Sequence, residues 1–507
     1  FPFFMGGKEP SIRLLAQGVI FAAIGCFAVL VSLGRQPIWL TPVSATLLKF
    51  IGAFSLLIIF QLIPWPLSIL AVFSPAGEKL YQTTGVASAP ISLNYFASVE
   101  ALLWSLSVLG LTALTLLLPQ EQLQIRLSRE MKSRGAGANP LLNLARTTEA
   151  IADGLQTSVI YTGLLFSVIA LLHLTTNTPA LFGFFLPGGV SLGSPRAHWP
   201  FVNPNHLAVF LEVSIILLGA RFFRLLELQN IKDPLRGQQS LGLRFIRNPE
   251  KYNREIIMLL QLLVISLAMV FTLSRAGLSL LLIGLMFLTW SYERGRRVVR
   301  PGGDKPRQGV FERFFGRAAA LMLGRLKMPA LFLLFATIVL LFLGEGGREL
   351  LAKRVEYGLT VDKGQVRWEL MGLTTEIFSN FPLWGVGLGS WSAIAPKFAG
   401  PSLAAFSLDY AHNDPWQFVS ETGLIGLALA SIGLIYLARI TRRALLALPS
   451  YPQRMELVGT SLALLVPFCH SFLDFPFHIP ALAILFGLTM AIHLRLVSNA
   501  LASAEAV

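Results

Sequence analysis

The stretch from Glu255 to Glu293 reads EIIMLLQLLVISLAMVFTLSRAGLSLLLIGLMFLTWSYE, and between its terminal acids the only charge is Arg275. An α-helix crosses the hydrocarbon core of a bilayer in about 20 apolar residues. The stretch is too long for one such helix and the right length for two. Arg275 therefore marks a hairpin tip, at or just inside one membrane face. Working outward, apolar runs of the same kind occur at about 14–33, 44–63, 99–118, 159–175, 205–221, 329–343, 418–438, 457–472 and 480–497. With 256–274 and 276–292 they make eleven visible spans.

Composition agrees. The chain has 507 residues, 54% hydrophobic and 13% charged, and its mean hydropathy is +0.65. Soluble domains carry about 25% charged residues. The expected fold class is an all-α integral membrane protein, a multi-span helical bundle. Disorder, coiled coil and disulfide scaffold are excluded. The two cysteines, Cys26 and Cys469, lie in apolar runs and are too few for a disulfide framework or a zinc cluster.

The net charge of +14 would suggest nucleic acid on a soluble protein. Here its placement explains it. Segments 119–158, 221–255, 293–328 and 439–455 hold 27 of the 41 Lys and Arg residues, and alternation of the spans puts all four on one side. By the positive-inside rule that side is cytosolic. No nucleic-acid partner is expected, and these loops suit anionic membrane lipids. The outer side receives 64–98, 176–204, the Arg275 turn, 344–417 and 473–479. Three regions follow: 1–343, an N-terminal transmembrane bundle with basic cytosolic loops; 344–417, a large outer loop; and 418–507, the C-terminal transmembrane helices. This parity places Phe1 outside with an odd number of spans, so one upstream span is expected, twelve in all. Six tryptophans, Trp65, Trp199, Trp368, Trp384, Trp391 and Trp416, fall on the outer side, where they suit an interfacial belt or a platform for apolar or sugar ligands.

The polar residues that topology does not explain lie on the outer side. In Arg196-Ala-His198-Trp-Pro-Phe-Val-Asn203-Pro204-Asn205-His206, Asn203 suits an N-cap and Pro204 the first helical position. The helix start would offer free N–H groups to an anion, with Arg196 adding fixed positive charge. The ordinary alternative is a capped helix with an arginine snorkelling to headgroups. The two helices flanking Arg275 hold no carboxylate between Glu255 and Glu293 to pair it, so an anionic ligand competes with snorkelling there. Arg367 belongs to an amphipathic helix running to about Asn380, where it is either a ligand for an anion or a surface residue pairing with Glu369. The Gly385-Val-Gly387-Leu-Gly389 run lacks a preceding strand and a βαβ context, so it reads as a tight backbone turn rather than a nucleotide site.

The sharpest pattern is His412-Asn413-Asp414-Pro415-Trp416-Gln417, followed by Glu421-Thr-Gly423-Leu-Ile-Gly426. Asn413 or Asp414 caps a helix that Pro415 opens, so His412 sits just outside a helix start. A neutral imidazole there suits a general base, with Asn413 or Asp414 setting its tautomer; a capping or packing histidine is the plainer reading. Glu212 and Glu421 fall in or near spans, where carboxylates are functional candidates unless neutral or paired with an arginine. Asp474, in a short outer turn, could pair Arg275 or Arg196. No HExxH, DxD or paired-acid spacing points to a metal, and no cofactor is expected. Arginine forks and helix ends suit a diphosphate, the histidine suits deprotonating a hydroxyl, and the spans suit a polyprenyl tail. The implied chemistry is displacement of a lipid diphosphate by an alcohol, with arginines offsetting leaving-group charge.

These residues resemble the O-antigen ligase/polymerase superfamily of bacterial membrane glycosyltransferases, which includes the O-oligosaccharyltransferases. The family pattern, His-[Asn/Ser/Gln], nine residues, then Gly-x-x-[Gly/Thr/Tyr], is met by His412-Asn413 and Gly423-Leu-Ile-Gly426. Phe271–Gly277 resembles the family's arginine-bearing turn, and Phe201–Ala208 resembles the segment before a core helix. Arg367-Trp368-Glu369 and Gly385–Gly389 resemble parts of its large periplasmic loop. The likeness is strong over about 190–430; the long basic loops 119–158 and 293–328 depart from it.

The resemblance implies a bundle of about twelve spans, of the metal-independent membrane glycosyltransferase type. It also implies a bacterial inner-membrane location with the site facing the periplasm. It implies a glycan donor on undecaprenyl diphosphate and a glycolipid, glycan or protein acceptor whose hydroxyl, activated by His412, attacks the anomeric carbon with inversion. Arg275 would hold the diphosphate, with Arg196, Arg367, Asn203 and Asn205 assisting, and Asn413, Asp414, Asp474 and Glu421 in support. Ligase, polymerase and protein O-oligosaccharyltransferase share these motifs and stay open. A transporter of lipid-linked glycan is the reading from another class; it calls for broken helices near the midplane, often in repeated halves.

Overall fold

The structure, a computed structural model, describes residues 10–34, 40–118, 139–176, 180–181, 196–232, 249–298, 363–403, 406–448 and 451–505. In chain order these form α1 (Pro10–Ser32), α2 (Pro42–Leu62), α3 (Leu67–Phe73), α4 (Pro75–Gln82), α5 (Tyr95–Leu117), α6 (Asn139–Thr176) and α7 (Pro204–Lys232). There follow α8 (Asn253–Phe271), α9 (Arg275–Val298), α10 (Lys363–Asn380), α11 (Trp391–Phe398), α12 (Asp414–Ala447), α13 (Tyr451–His470) and α14 (Pro480–Glu505). Among the described residues, sheet is limited to one antiparallel pair of two-residue strands, Trp65–Pro66 and Ser88–Ala89.

Among the described residues eight helices are long and apolar enough to cross a membrane: α1, α2, α5, α6, α8, α9, α12 and α14. The chain is a multi-pass, all-α membrane protein. Helices α7 and α13, of 29 and 20 residues, fall outside those eight and coincide with the expected runs at 205–221 and 457–472. The expected run 329–343 lies outside the described residues, as do 344–362 of the outer loop. Residues 139–158, expected as loop, belong to the first part of α6.

The centre of the bundle is α7. From His206 to Ala220 every residue is buried, as suits a helix apolar on all sides. It packs against α6, α8, α9 and α13, and one continuous core joins these with the start of α14. On the outside, Leu14, Leu56 and Ile432 stay exposed; water penalises such a surface, whereas lipid does not.

The two ends of the bundle sort the loops as the basic residues do. At one end Arg221 pairs with Asp153 at 2.6 Å, Arg224 pairs with Glu456 at 2.5 Å, and buried Arg495 donates to Thr115 O at 2.8 Å. At the other end the turns around 92, 196, 272, 386, 412 and 474 bond to one another, as set out below.

One helix departs from expectation. The span read as uninterrupted over 418–438 is broken at Gly423 (φ 66°, ψ −165°) in α12. The released backbone groups are taken by the turn after α10: Leu424 N donates to Pro382 O, and Val386 and Gly387 N donate to Ser420 and Glu421 O, at 2.8, 3.1 and 3.0 Å. Glycine is required there. A Cβ at Gly423 would run into the Leu383 backbone, and one at Gly385 into Glu421.

Candidate active site

Two residues without glycine's freedom adopt positive φ among the described residues: Leu273 at 51° and His412 at 55°. Such strain persists only where surrounding structure enforces it, and it concentrates at functional sites. The two flank the expected site. Leu273 opens the turn to Arg275, and His412 precedes α12.

The local reasons are legible. Asn413 caps α12, its Oδ1 accepting from Trp416 N at 3.0 Å, and Asp414 N donates to Ser471 O at 2.9 Å. His412 is therefore held between a helix start and the turn after α13. Its Nδ1 lies 3.5 Å from Asp474 Oδ1, an ion-pair separation rather than a well-formed hydrogen bond, and its ring packs edge-on against Phe475. Phe475 also carries His206 edge-on and Tyr410 stacked, with centroids 4.9 and 4.3 Å away. About a third of the His412 side chain is exposed, whereas Asp474 is buried.

Asp474 thus faces His412, not Arg275 or Arg196 as sequence suggested. Its Oδ2 accepts from Asn205 Nδ2 at 2.8 Å, and Asn205 Oδ1 accepts from Arg196 Nη2 at 3.0 Å. Arg196 Nε donates to Thr272 O at 2.6 Å, three residues before Arg275. A relay of polar contacts thereby runs from the Arg275 turn through Arg196, Asn205 and Asp474 to His412. Burial alone would raise the Asp474 carboxyl, but the imidazoles of His412 and His206 and the Asn205 amide outweigh it and hold the group well below the usual carboxylate range.

Asp414 serves a second histidine. Its Oδ1 lies 2.5 Å from His478 Nδ1, and its Oδ2 accepts from Phe477 N at 2.8 Å. It therefore pins the 471–479 turn and does not set the tautomer of His412. Burial disfavours the His478 imidazolium, yet Asp414 outweighs this and raises His478 above the ordinary imidazole value. Burial also pushes the Tyr410 hydroxyl up and His198 down.

The helix starts do not offer the free N–H groups expected of them. At α7, Pro204 has no N–H, Asn205 N donates to Asn203 Oδ1 at 2.9 Å, and His206 N donates to Asn203 O. At α12, Asp414, Trp416 and Gln417 N are all engaged and Pro415 has none. Asn203 and Asn205 are therefore committed to a cap and to the relay. Arg275, first residue of α9, is exposed, as is Arg367 on α10.

The two intramembrane acids have partners other than arginine. Glu212 Oε1 meets His470 Nδ1 at 2.8 Å in the core, beside Gly277. Glu421 lies in the Gly385–Gly389 turn: Gly389 N donates to its Oε2 at 2.8 Å, while Trp391 N and Gln417 Nε2 donate to its Oε1 at 3.2 Å. The glycine run does cradle an acceptor, and that acceptor is the chain's own Glu421 carboxyl group. Among the tryptophans, Trp199 and Trp391 are buried and Trp384 stacks on Phe60, so the expected belt is reduced; Trp368 is exposed. Sequence reasoning passed over Tyr410, Gln417, His470 and His478; the last two stand in the His470–Pro480 turn, where only Asp474 drew attention.

No curated protein matches the chain. Residues 260–431 match the family described as O-antigen ligase, a stretch that contains the Arg275 turn, Arg367, the glycine run, His412 and the Gly423 break but neither Asn205 nor Asp474. The chain is a multi-pass membrane protein whose residues 260–431 match the O-antigen ligase family, and this supports the O-antigen ligase/polymerase superfamily, whose members are glycosyltransferase-like enzymes acting on lipid-linked glycans.

Proposed function

We propose that the protein transfers a glycan from an undecaprenyl-diphosphate carrier to an acceptor hydroxyl at the periplasmic face of the bacterial inner membrane. The reaction is an inverting, ligase-type, metal-independent displacement. The observation that carries this reading is His412, strained, partly exposed and backed by buried Asp474. With Nδ1 turned to the carboxylate, Nε2 is the nitrogen left for the acceptor proton. The hydroxyl oxygen forms the new bond to the anomeric carbon, the glycosyl–phosphate bond breaks, and the diphosphate leaves with the electron pair. Arg275 and Arg367 offset its charge; Arg196, Asn205 and Asp474 position the base and the Arg275 turn.

The test is transfer by purified protein supplied with defined lipid-linked glycan and candidate acceptors. A single attachment supports a ligase, a ladder of products a polymerase, and a modified Ser or Thr a protein O-oligosaccharyltransferase. Translocation of the donor with no bond formed overturns the transferase reading. The Gly423 break is one feature shared with transporters, but its released groups bond to the 382–387 turn.

A further inference from the structure

Helix α1 carries two polar residues that the site does not use. Arg13 and Gln17 are one turn apart, so they share a face, and α1 lays that side against α5. Arg13 Nη1 pairs with Glu100 at 2.9 Å, and its guanidinium lies over the Trp104 ring at 5.2 Å. Among the described residues Arg13 Nε has no hydrogen-bond partner, and neither has Nε2 of Gln17, whose side chain belongs to a residue only 6% exposed. A buried donor without an acceptor destabilises the fold. Snorkelling explains an arginine at a helix end but not a buried amide with no acceptor beside it.

The pair lies at the site's end of the bundle. Glu100 is in the second turn of α5, and that helix begins at Asn94, whose N–H donates to Ser390 of the glycine-run turn. Leu14 beside the pair, and Leu15 and Val19 on the opposite face of α1, are exposed at 66%, 65% and 62%. Donors that lack an oxygen acceptor, on a helix otherwise apolar toward its surroundings, fit a ligand with an anionic head and an acyl tail.

We propose that Arg13 and Gln17 form a phosphate-binding subsite for the headgroup of a phosphorylated membrane lipid, separate from the groups assigned to the donor diphosphate. The arginine fork takes phosphate oxygens in competition with Glu100 while Trp104 holds its plane, and Gln17 adds a donor. The subsite stands whether or not the chain transfers glycans, since its test reads binding alone.

The full chain in detergent is titrated with short-chain phosphatidic acid, with short-chain phosphatidylcholine, and with inorganic phosphate, and binding is read by calorimetry. Saturable phosphatidic acid binding is expected, weakened about tenfold or more by Arg13→Gln and by Gln17→Leu, and partly kept by Arg13→Lys. Glu100→Gln, which removes a competing carboxylate, should tighten it, whereas a merely structural ion pair would make Arg13→Gln and Glu100→Gln behave alike. Equal binding of phosphatidylcholine, or no change in Arg13→Gln, overturns the subsite. Equal affinity for inorganic phosphate retains the phosphate chemistry and overturns the lipid as its source.

Discussion

His412 and Asp474 face one another across 3.5 Å from two turns at the same end of the bundle, one before α12 and one after α13. The carboxylate is buried and the imidazole partly open, the order of exposure that a base and its orienting partner require.

Replacing either partner separates chemistry from orientation. His412→Ala should abolish transfer while the protein stays folded in the membrane. Asp474→Asn should lower kcat about 10²-fold, the scale of general-base assistance, with little change in the donor KM. Steady-state kinetics in detergent check both; near-normal turnover by His412→Ala would end the base assignment.

The pH response of stability follows from Asp474. Its carboxyl is held below the ordinary range in the folded protein, so it contributes stability above the unfolded value of about 3.9. That contribution is lost as pH falls through the folded value. Wild type should melt higher than Asp474→Asn at neutral pH, and the gap should close in strong acid. A gap independent of pH would show that the carboxylate's charge is not what matters.

Arginines 196 and 275 should fail differently. Arg196 donates to Thr272 O and Asn205 Oδ1, so Arg196→Gln should lower the melting temperature and slow turnover together. Arg275 is exposed at the start of α9, so Arg275→Lys should raise the donor KM with the melting temperature unchanged, because lysine lacks the bidentate fork. Thermal unfolding and donor titration side by side decide this.

Glu421 accepts three hydrogen bonds in a buried turn. Glu421→Gln must turn an amide donor toward N–H groups or lose a bond, at about 1–3 kcal/mol. Gly423→Ala brings a Cβ into the Leu383 backbone and should prevent the break from forming. Both should reduce the yield of folded protein, and Gly423→Ala should do so more severely. A normal melting profile for Gly423→Ala would contradict the geometry.

Much of the site was legible before any coordinates. His412-Asn413, the Arg275 turn and Asn203-Pro204 each announce a cap or a hairpin tip through local backbone chemistry, whereas the break at Gly423 went unread. What escaped was pairing. The distance from residue 205 to 474 along the chain says nothing of contact, so Asp474 was matched to an arginine by charge when its neighbours are an imidazole and an amide. For the same reason Asp414 stood beside Asn413 as a candidate partner of His412, when it pairs with His478, and the glycine run was left without the carboxyl group it encloses.

By itself, then, the sequence determined the medium and the helical class, because hydropathy acts on each segment alone. Only the tertiary structure decided which polar groups meet. Inside a bundle most buried donors and acceptors find a partner. Here the helix-start N–H groups are taken by caps and by the 471–479 turn, and the relay from Arg196 to Asp474 is closed by neighbours brought together in folding.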